Sequence, residues 1–332
     1  MKHLLSSLLV LLCIIPTFAQ QPANQPGTAL LTDNQLHVIL VGTGSPIADA
    51  TRAQACTAVI AGGEFILIDV GPGAVRKAMT NNLPLQSLSA VLLTHFHSDH
   101  IGELGEAVVQ SWLAGRTKKL DVYGPPGVEK VVAGFAQAYA FDTDYRVAHH
   151  GEAHLPRAAA TANALPIKLR NDAEAAVVFE RNGVKVTAFK VEHEPVSPAY
   201  GYRIEYRGRS VVISGDTAKS ANLAKHAAGA DILVHDVLAK ALLQFAANGF
   251  EQAGNARRAK LARDITTYHA APLEVAALAA EAKVETLVFT HLVPAPNTPQ
   301  IEAAFTRGVS DVFKGKVVIG TDGLRFDLTP KP

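Results

Sequence analysis

Ala90-Val91-Leu92-Leu93-Thr94-His95-Phe96-His97-Ser98-Asp99-His100-Ile101-Gly102 is the stretch on which the reading of this chain turns. Its first five residues predict a buried strand over 90–94, and the spacing of apolar residues from Gly102 to Leu113 predicts a helix. Between the two lie three histidines and an aspartate. In extended backbone His95 and His97 project to the same side, because side chains alternate with a period of two. Ser98 is placed to cap the following helix, and the turn brings Asp99 and His100 round to its start. Imidazoles and a carboxylate converging at a strand end form a cage suited to a divalent cation.

Four such residues at one spot do not fill two metal sites, so partners are sought further along the chain. His193 follows the predicted strand 184–191, Asp216 follows 211–215, and His291 follows 287–290. Each is a residue of ligand type set directly behind an apolar strand. That repeated placement predicts strand ends converging on one edge of the sheets.

Composition agrees with this chemistry. Of 332 residues 48% are hydrophobic and 18% charged, which excludes a disordered chain. The balance of 31 Lys+Arg against 30 Asp+Glu excludes an acidic tail protein and a strongly basic nucleic-acid binder. Thirteen histidines against two cysteines place any metal chemistry on imidazole and carboxylate.

Residues 1–19 read as a secretory signal peptide. Lys2 opens it, an apolar run covers 4–18, and Ala19 precedes the polar Gln20-Gln21-Pro22. That run is shorter than the roughly 20 residues of a membrane span. The expectation is export, to the periplasm or the medium, with no membrane attachment after cleavage. Losing Lys2 leaves 30 basic against 30 acidic residues, and losing Cys13 leaves Cys56 as the single cysteine, so no internal disulfide is possible. Cys56 itself reads as a small buried residue. Residues 20–34 read as a flexible arm and 35–330 as a single domain, with an insertion around 141–182. Strands interspersed with helices point to sheets packed between helix layers.

With these residues in place the chain resembles the metallo-β-lactamase superfamily, whose α/β fold is a four-layer αββα sandwich with a dinuclear site on one edge. The resemblance implies that His95, His97 and His193 hold one metal and Asp99, His100 and His291 the other. Asp216 then bridges the two divalent ions, for which zinc is expected and manganese or iron also fits. Within the superfamily the likeness is to the ribonuclease Z and arylsulfatase branch. It is carried by residues 193–204, Ser214-Gly215-Asp216-Thr217, Leu233-Val234-His235-Asp236, His269, and Thr290-His291-Leu292. Asp99 and His269 are implied as catalytic residues, with His269 protonating the leaving group. This chain has Ala270 where family members carry a hydroxyl residue beside that histidine.

The activity expected is an exported, arylsulfatase-like hydrolysis of small sulfate or phosphodiester substrates, with a metal-bound hydroxide as nucleophile. Three considerations place RNA second and set nucleic acid aside as a partner. The chain reads as exported, only 14 residues separate Tyr202 from Asp216, leaving no room for an RNA-gripping arm, and the mature charge is zero. The alternatives are a ribonuclease Z-like phosphodiesterase on RNA, a lactonase or β-lactamase, and an iron-dependent, persulfide dioxygenase-like oxidoreductase. A homodimer is left open. Arg52 reads equally as a contact for an anionic substrate and as a surface ion pair. His149 and His150 are candidates to line the cleft, while His37, His154, His226 and His235 read as ordinary structural residues.

Overall fold

The computed structural model describes residues 26–169 and 175–331. The expected signal peptide lies outside the described residues, as does the first part of the expected arm. Residues Pro26–Leu31 of that arm form a 3₁₀ helix that buries Leu30 against the domain.

Strands β1 (Leu36–Gly42), β2 (Cys56–Ala61), β3 (Glu64–Ile68), β4 (Leu88–Leu92), β5 (Leu120–Gly124) and β6 (Ala162–Pro166) build the first sheet. The second contains β7 (Ala175–Arg181), β8 (Val184–Val191), β9 (Ala199–Tyr206), β10 (Arg209–Ile213), β11 (Ile232–Leu238), β12 (Thr286–Val293) and β13 (Lys316–Ile319). The last strand, β14 (Arg325–Leu328), returns to the first sheet. Each sheet has seven strands, in the orders β14-β1-β2-β3-β4-β5-β6 and β13-β12-β11-β10-β9-β8-β7.

Alternation along the strands explains the layering. Ala90 and Leu92 of β4 enter the core between the sheets, while Val91 and Leu93 face the helices outside. In β10, Val211 and Ile213 face inward and Val212 outward. Strands covered on both faces read as continuous apolar runs, which is the pattern the sequence shows. The result is the four-layer αββα sandwich, with helices such as Leu104–Leu113 and Pro272–Glu281 on its outer faces.

The pairings β3–β4–β5–β6 and β10–β11–β12–β13 are parallel, so each set opens its carboxyl ends toward one edge. Open α/β sheets bind ligands outside such ends. Two ties fasten the sheets at this edge. Tyr202 donates its hydroxyl to Leu93 O at 2.6 Å, and Tyr200 N donates to Thr94 O at 3.0 Å.

The segment expected as an insertion around 141–182 differs from that reading. Its described part continues the helix Ala140–His150, then supplies β6 and β7, one edge strand of each sheet, and so carries the chain from one sheet to the other. Ala162-Asn163-Ala164-Leu165-Pro166 hides this because Asn and Pro are poor strand formers, and Pro is tolerated only at an edge. The last helical stretch of the chain is two pieces, Pro299–Thr306 and Val309–Val312, separated at Gly308, whose φ is 73°. Among the described residues no helix is long and apolar enough to cross a membrane.

Candidate metal centre

Seven side chains set apart by up to 196 residues meet at the shared edge. His95 and His97 leave the end of β4, Asp99 and His100 sit on the short helix Ser98–Ile101, His193 follows β8, and Asp216 follows β10. His291 lies within β12, where the register with β11 slips by one residue between Asp236 and Val237. It is the extra residue of that bulge, with φ at 46°, a left-handed conformation rare outside glycine. A bulge redirects one side chain out of the strand's alternation.

Asp216 is the centre of the arrangement. Its Oδ2 lies 3.3 Å from His100 Nε2, 3.5 Å from His291 Nε2, 3.9 Å from His193 Nε2 and 4.0 Å from His95 Nε2. Three groups of potential ligand atoms share this region: His95, His97, His193 and Asp216; Asp99, His100 and His291; and Asp216, Asp236, His269 and His291, with the atoms of each group within 4.8 Å of one another. His97 Nδ1 lies 2.9 Å from His95 Nε2, and Asp99 Oδ2 lies 3.0 Å from His291 Nε2.

The far nitrogens are tied down. His95 Nδ1 donates to Thr94 Oγ1 at 3.0 Å, His193 Nδ1 to Tyr268 O at 3.1 Å, and His100 Nδ1 to Asp69 Oδ2 at 2.8 Å. Each bond leaves Nε2 facing the centre, the usual outer-shell pattern of metal-ligating histidines. His100 Nε2 and His193 Nε2, both on the side of Asp216, are buried without a hydrogen-bond partner. Buried polar atoms are rarely left unpaired, so orphaned nitrogens around a buried carboxylate fit a bound cation. Five imidazoles and two carboxylates are also the donor set that divalent ions take.

Protonation divides the site. Burial pushes the pKa values of His95, His97 and His193 down, keeping them neutral. Burial acts on His100 and His291 as well, but the Asp216 charge overrides it and raises both, with Asp69 and Asp99 assisting respectively. Asp216 is held well below the usual carboxylate range, since the charges of His291 and His100 outweigh its burial. This concentration of negative charge is balanced by protons that a metal ion displaces on binding.

Asp69 is the residue that sequence reasoning missed. It accepts Thr94 N and Thr94 Oγ1, both at 2.8 Å, as well as His100 Nδ1. It follows the apolar β3 directly, so the signal that singled out His193 and Asp216 was present here too. Beside it, Gly71 lets the backbone pass under the metal loop, since a Cβ there falls 2.1 Å from Asp99 O.

His269 stands next to the cluster. Its Nδ1 bonds Asp236 Oδ2 at 2.7 Å, and its ring stacks on His291 with centroids 5.5 Å apart. Asp236, the one carboxylate of β11, keeps a lowered pKa because bonds from His235 and His269 outweigh its complete burial. The departure at position 270 is accounted for by packing, since Ala270 fills the core beneath the helix Pro272–Glu281 and the carboxylate of Asp236 supplies the polar partner.

Other candidates stand apart. Arg52 donates to Thr43 Oγ1 at 2.6 Å and to Gly320 O at 2.7 Å, which makes it an internal strut and not a surface pair. His149 and His150 are exposed on the last turn of Ala140–His150, outside the clustered ligands. Cys56 is a buried free thiol at the start of β2. An apolar cavity of about 240 Å³ between Leu104–Leu113 and Val128–Ala138 contains none of the seven residues.

The αββα layers and the clustered imidazoles and carboxylates on their open edge define a metal-dependent hydrolase with a dinuclear divalent site. Residues 64–292 match the family model described as a beta-lactamase superfamily domain, and the chain belongs to that metallo-β-lactamase superfamily. Ribonuclease Z of Mycolicibacterium paratuberculosis (strain ATCC BAA-968 / K-10) is 38% identical over 290 residues, covering 86% of this chain and 96% of that protein. Ribonuclease Z of Mycobacterium marinum is 38% identical over 296 residues, covering 88% and 99%. Among solved structures, human tRNase Z, short form, superposes with a TM-score of 0.62 at 19% identity, covering 88% of this chain and 99% of that one. The metallo-beta-lactamase fold protein YhfI from Bacillus subtilis does so at 0.61 and 20%, with the same coverage.

These relatives correct two expectations, the arylsulfatase-like activity on small esters and the exclusion of nucleic acid as a partner. The short span from Tyr202 to Asp216 does not separate this chain from ribonuclease Z, because the match runs over 96% of the mycobacterial enzyme's length. Zero net charge fails as an argument for a physical reason: binding responds to the local field of a surface, and a balanced total hides a basic patch.

Proposed function

We propose that this protein is an RNA phosphodiesterase of the ribonuclease Z kind. The observation that carries the reading is 38% identity across 96% of an enzyme bearing that name, with all seven candidate ligands gathered at one edge. His95, His97 and His193 would hold one ion and Asp99, His100 and His291 the other, with Asp216 shared. The imidazole-rich set favours zinc. Two such ions, when bound, supply Lewis acidity and a nucleophilic water at neutral pH.

The chain's own residues handle the leaving group. Asp236 accepts the Nδ1 proton of His269 at 2.7 Å, leaving Nε2 to carry the proton that is passed to the departing alkoxide. Fixing the tautomer is the role of an aspartate behind a catalytic histidine. Asp99, buried beside His291 and Asp216, keeps its charge because the His291 bond and the His100 charge outweigh burial. Its carboxylate holds the second ligand group in register.

The reading is tested by incubating the metal-loaded protein with a structured RNA bearing a 3′ extension. Endonucleolytic cleavage that chelation abolishes supports it, and an intact RNA beside rapid sulfate-ester hydrolysis refutes it. We also propose that residues 1–19 direct export. Fractionation of expressing cells tests this, because full-length protein retained in the cytoplasm contradicts it.

A further inference from the structure

Between Asp236 and His269 the chain makes an excursion of two mutually packed helices, Lys240–Gln252 and Ala256–Asp264. Leu243, Ala247 and Ala262 of this hairpin bury against Leu238 and Val293. Those two residues end β11 and β12, each two positions beyond a residue of the site, Asp236 or His291. Backbone bonds seal the junction, from Leu238 N to Ala270 O at 3.0 Å and from Ala239 N to Val293 O at 2.8 Å. The hairpin is therefore fixed at the rim of the metal centre and leads straight into His269.

Its charge is one-sided. Lys240, Arg257, Arg258, Lys260 and Arg263 stand against only Glu251 and Asp264, in a chain that is otherwise balanced. Lys240 is engaged by Glu274 at 2.8 Å. Arg257 is exposed and has no ion-pair partner among the described residues, and Arg258 lies 5.7 Å from the Phe250 ring without a carboxylate. Lys260 meets Asp264 and Arg263 meets Glu251, but these are exposed pairs, worth little and readily exchanged for a phosphate. Phe245 is 80% exposed on the first helix, an aromatic ring left in water on the side away from Leu243 and Ala247.

We propose that this hairpin is an RNA-gripping surface, in which Arg257, Arg258 and Lys260 neutralise backbone phosphates and Phe245 stacks on an unpaired base. The inference rests on the RNA phosphodiesterase reading and adds the place where the substrate is held. Cationic side chains joined to an exposed aromatic ring are the combination that holds single-stranded nucleic acid. Position matters as much as composition: a polyanion lying along this rim passes the shared edge where the seven ligands meet.

The test uses the full, metal-loaded chain and compares the combined variant Arg257→Ala/Arg258→Ala with Phe245→Ala. Substrates are a 3′-extended structured RNA and bis-(p-nitrophenyl) phosphate, a diester too small to reach the hairpin. Removing two phosphate contacts raises the KM for RNA by roughly 10- to 30-fold and flattens its dependence on salt by about 1.4 logarithmic units per decade. Arg257→Lys/Arg258→Lys restores most of both. Phe245→Ala raises the KM while leaving the salt slope as it was, because stacking releases no counterions. If the unaltered protein cleaves RNA and the arginine variant keeps its KM and salt slope, the hairpin proposal is overturned alone. If the unaltered protein hydrolyses the small diester but leaves RNA intact, the RNA reading falls and the hairpin proposal with it.

Discussion

Replacing Asp236 by asparagine isolates the leaving-group step from metal binding. Asp236 Oδ2 accepts from His269 Nδ1 at 2.7 Å, so His269 carries its mobile proton on Nε2. An asparagine of the same shape presents either its oxygen or its amide, and an amide that donates to Nδ1 leaves a neutral imidazole, whose Nε2–H is far too weak an acid to protonate the leaving group. General-acid assistance contributes roughly 10²- to 10⁴-fold, and its loss raises the barrier by about 3–5 kcal/mol. That factor applies in full only where the departing oxygen is a poor leaving group, as in RNA. A p-nitrophenolate departs without a proton, so the same variant loses less than about tenfold on bis-(p-nitrophenyl) phosphate. Because Asp236 acts through His269, the double variant Asp236→Asn/His269→Ala is expected to be no slower than His269→Ala alone. The assay is kcat on both substrates for the two single variants and the double, with metal content measured in parallel. Equal slowing on the two substrates, additive losses in the double variant, or loss of metal from Asp236→Asn would refute the reasoning.

Three further outcomes follow from the geometry. Asp69→Asn removes the anchor of His100 and Thr94, so metal affinity falls about 10- to 100-fold, read by competition with a chromogenic chelator, while unchanged affinity contradicts the anchoring role. His100 and His291 have raised pKa values in the metal-free protein, so their protons must leave when an ion enters. Metal affinity accordingly rises with pH, while the stability those imidazoliums lend the metal-free fold is present below about pH 6.5 and is lost as pH climbs through their raised values. Calorimetric titration in two buffers of different ionisation enthalpy detects the released protons, and identical heats would exclude them. Arg52→Ala frees Thr43 Oγ1 and Gly320 O, costing about 1–3 kcal/mol in denaturant unfolding with the KM for RNA unchanged, whereas an altered KM at full stability returns Arg52 to the substrate.

Much of the fold was legible because both sheets are covered. Strands such as β4 and β10 are apolar on both faces, and their ends are marked by the polar residues that leave them. Two of the four edge strands, β6 and β7, were not legible. β6 is built from Ala, Asn, Leu and Pro, and its role comes from pairing with β5, a contact made across 42 residues that no local pattern announces. The same division holds at the metal centre. His95, His97, Asp99 and His100 advertise themselves by spacing, whereas Asp69 is a lone aspartate whose importance lies in accepting a bond from His100, 31 residues away. His291 was placed after its strand, and the structure sets it inside β12, on a bulge that exists only because the register with β11 slips. The hairpin at 240–264 shows the reverse problem. Its charge was readable, but a chain total of zero concealed it until the fold placed those side chains beside the site.

The central claim is that two metal ions held by these seven residues cleave an RNA phosphodiester. It is tested most directly by single-turnover cleavage of a 3′-extended structured RNA, with bound metal counted in the same preparation. The account predicts about two divalent ions per chain, cleavage at a defined bond, and loss of both ions and activity in Asp216→Asn. A protein that carries its metals and hydrolyses sulfate or lactone esters while leaving every RNA intact would contradict it.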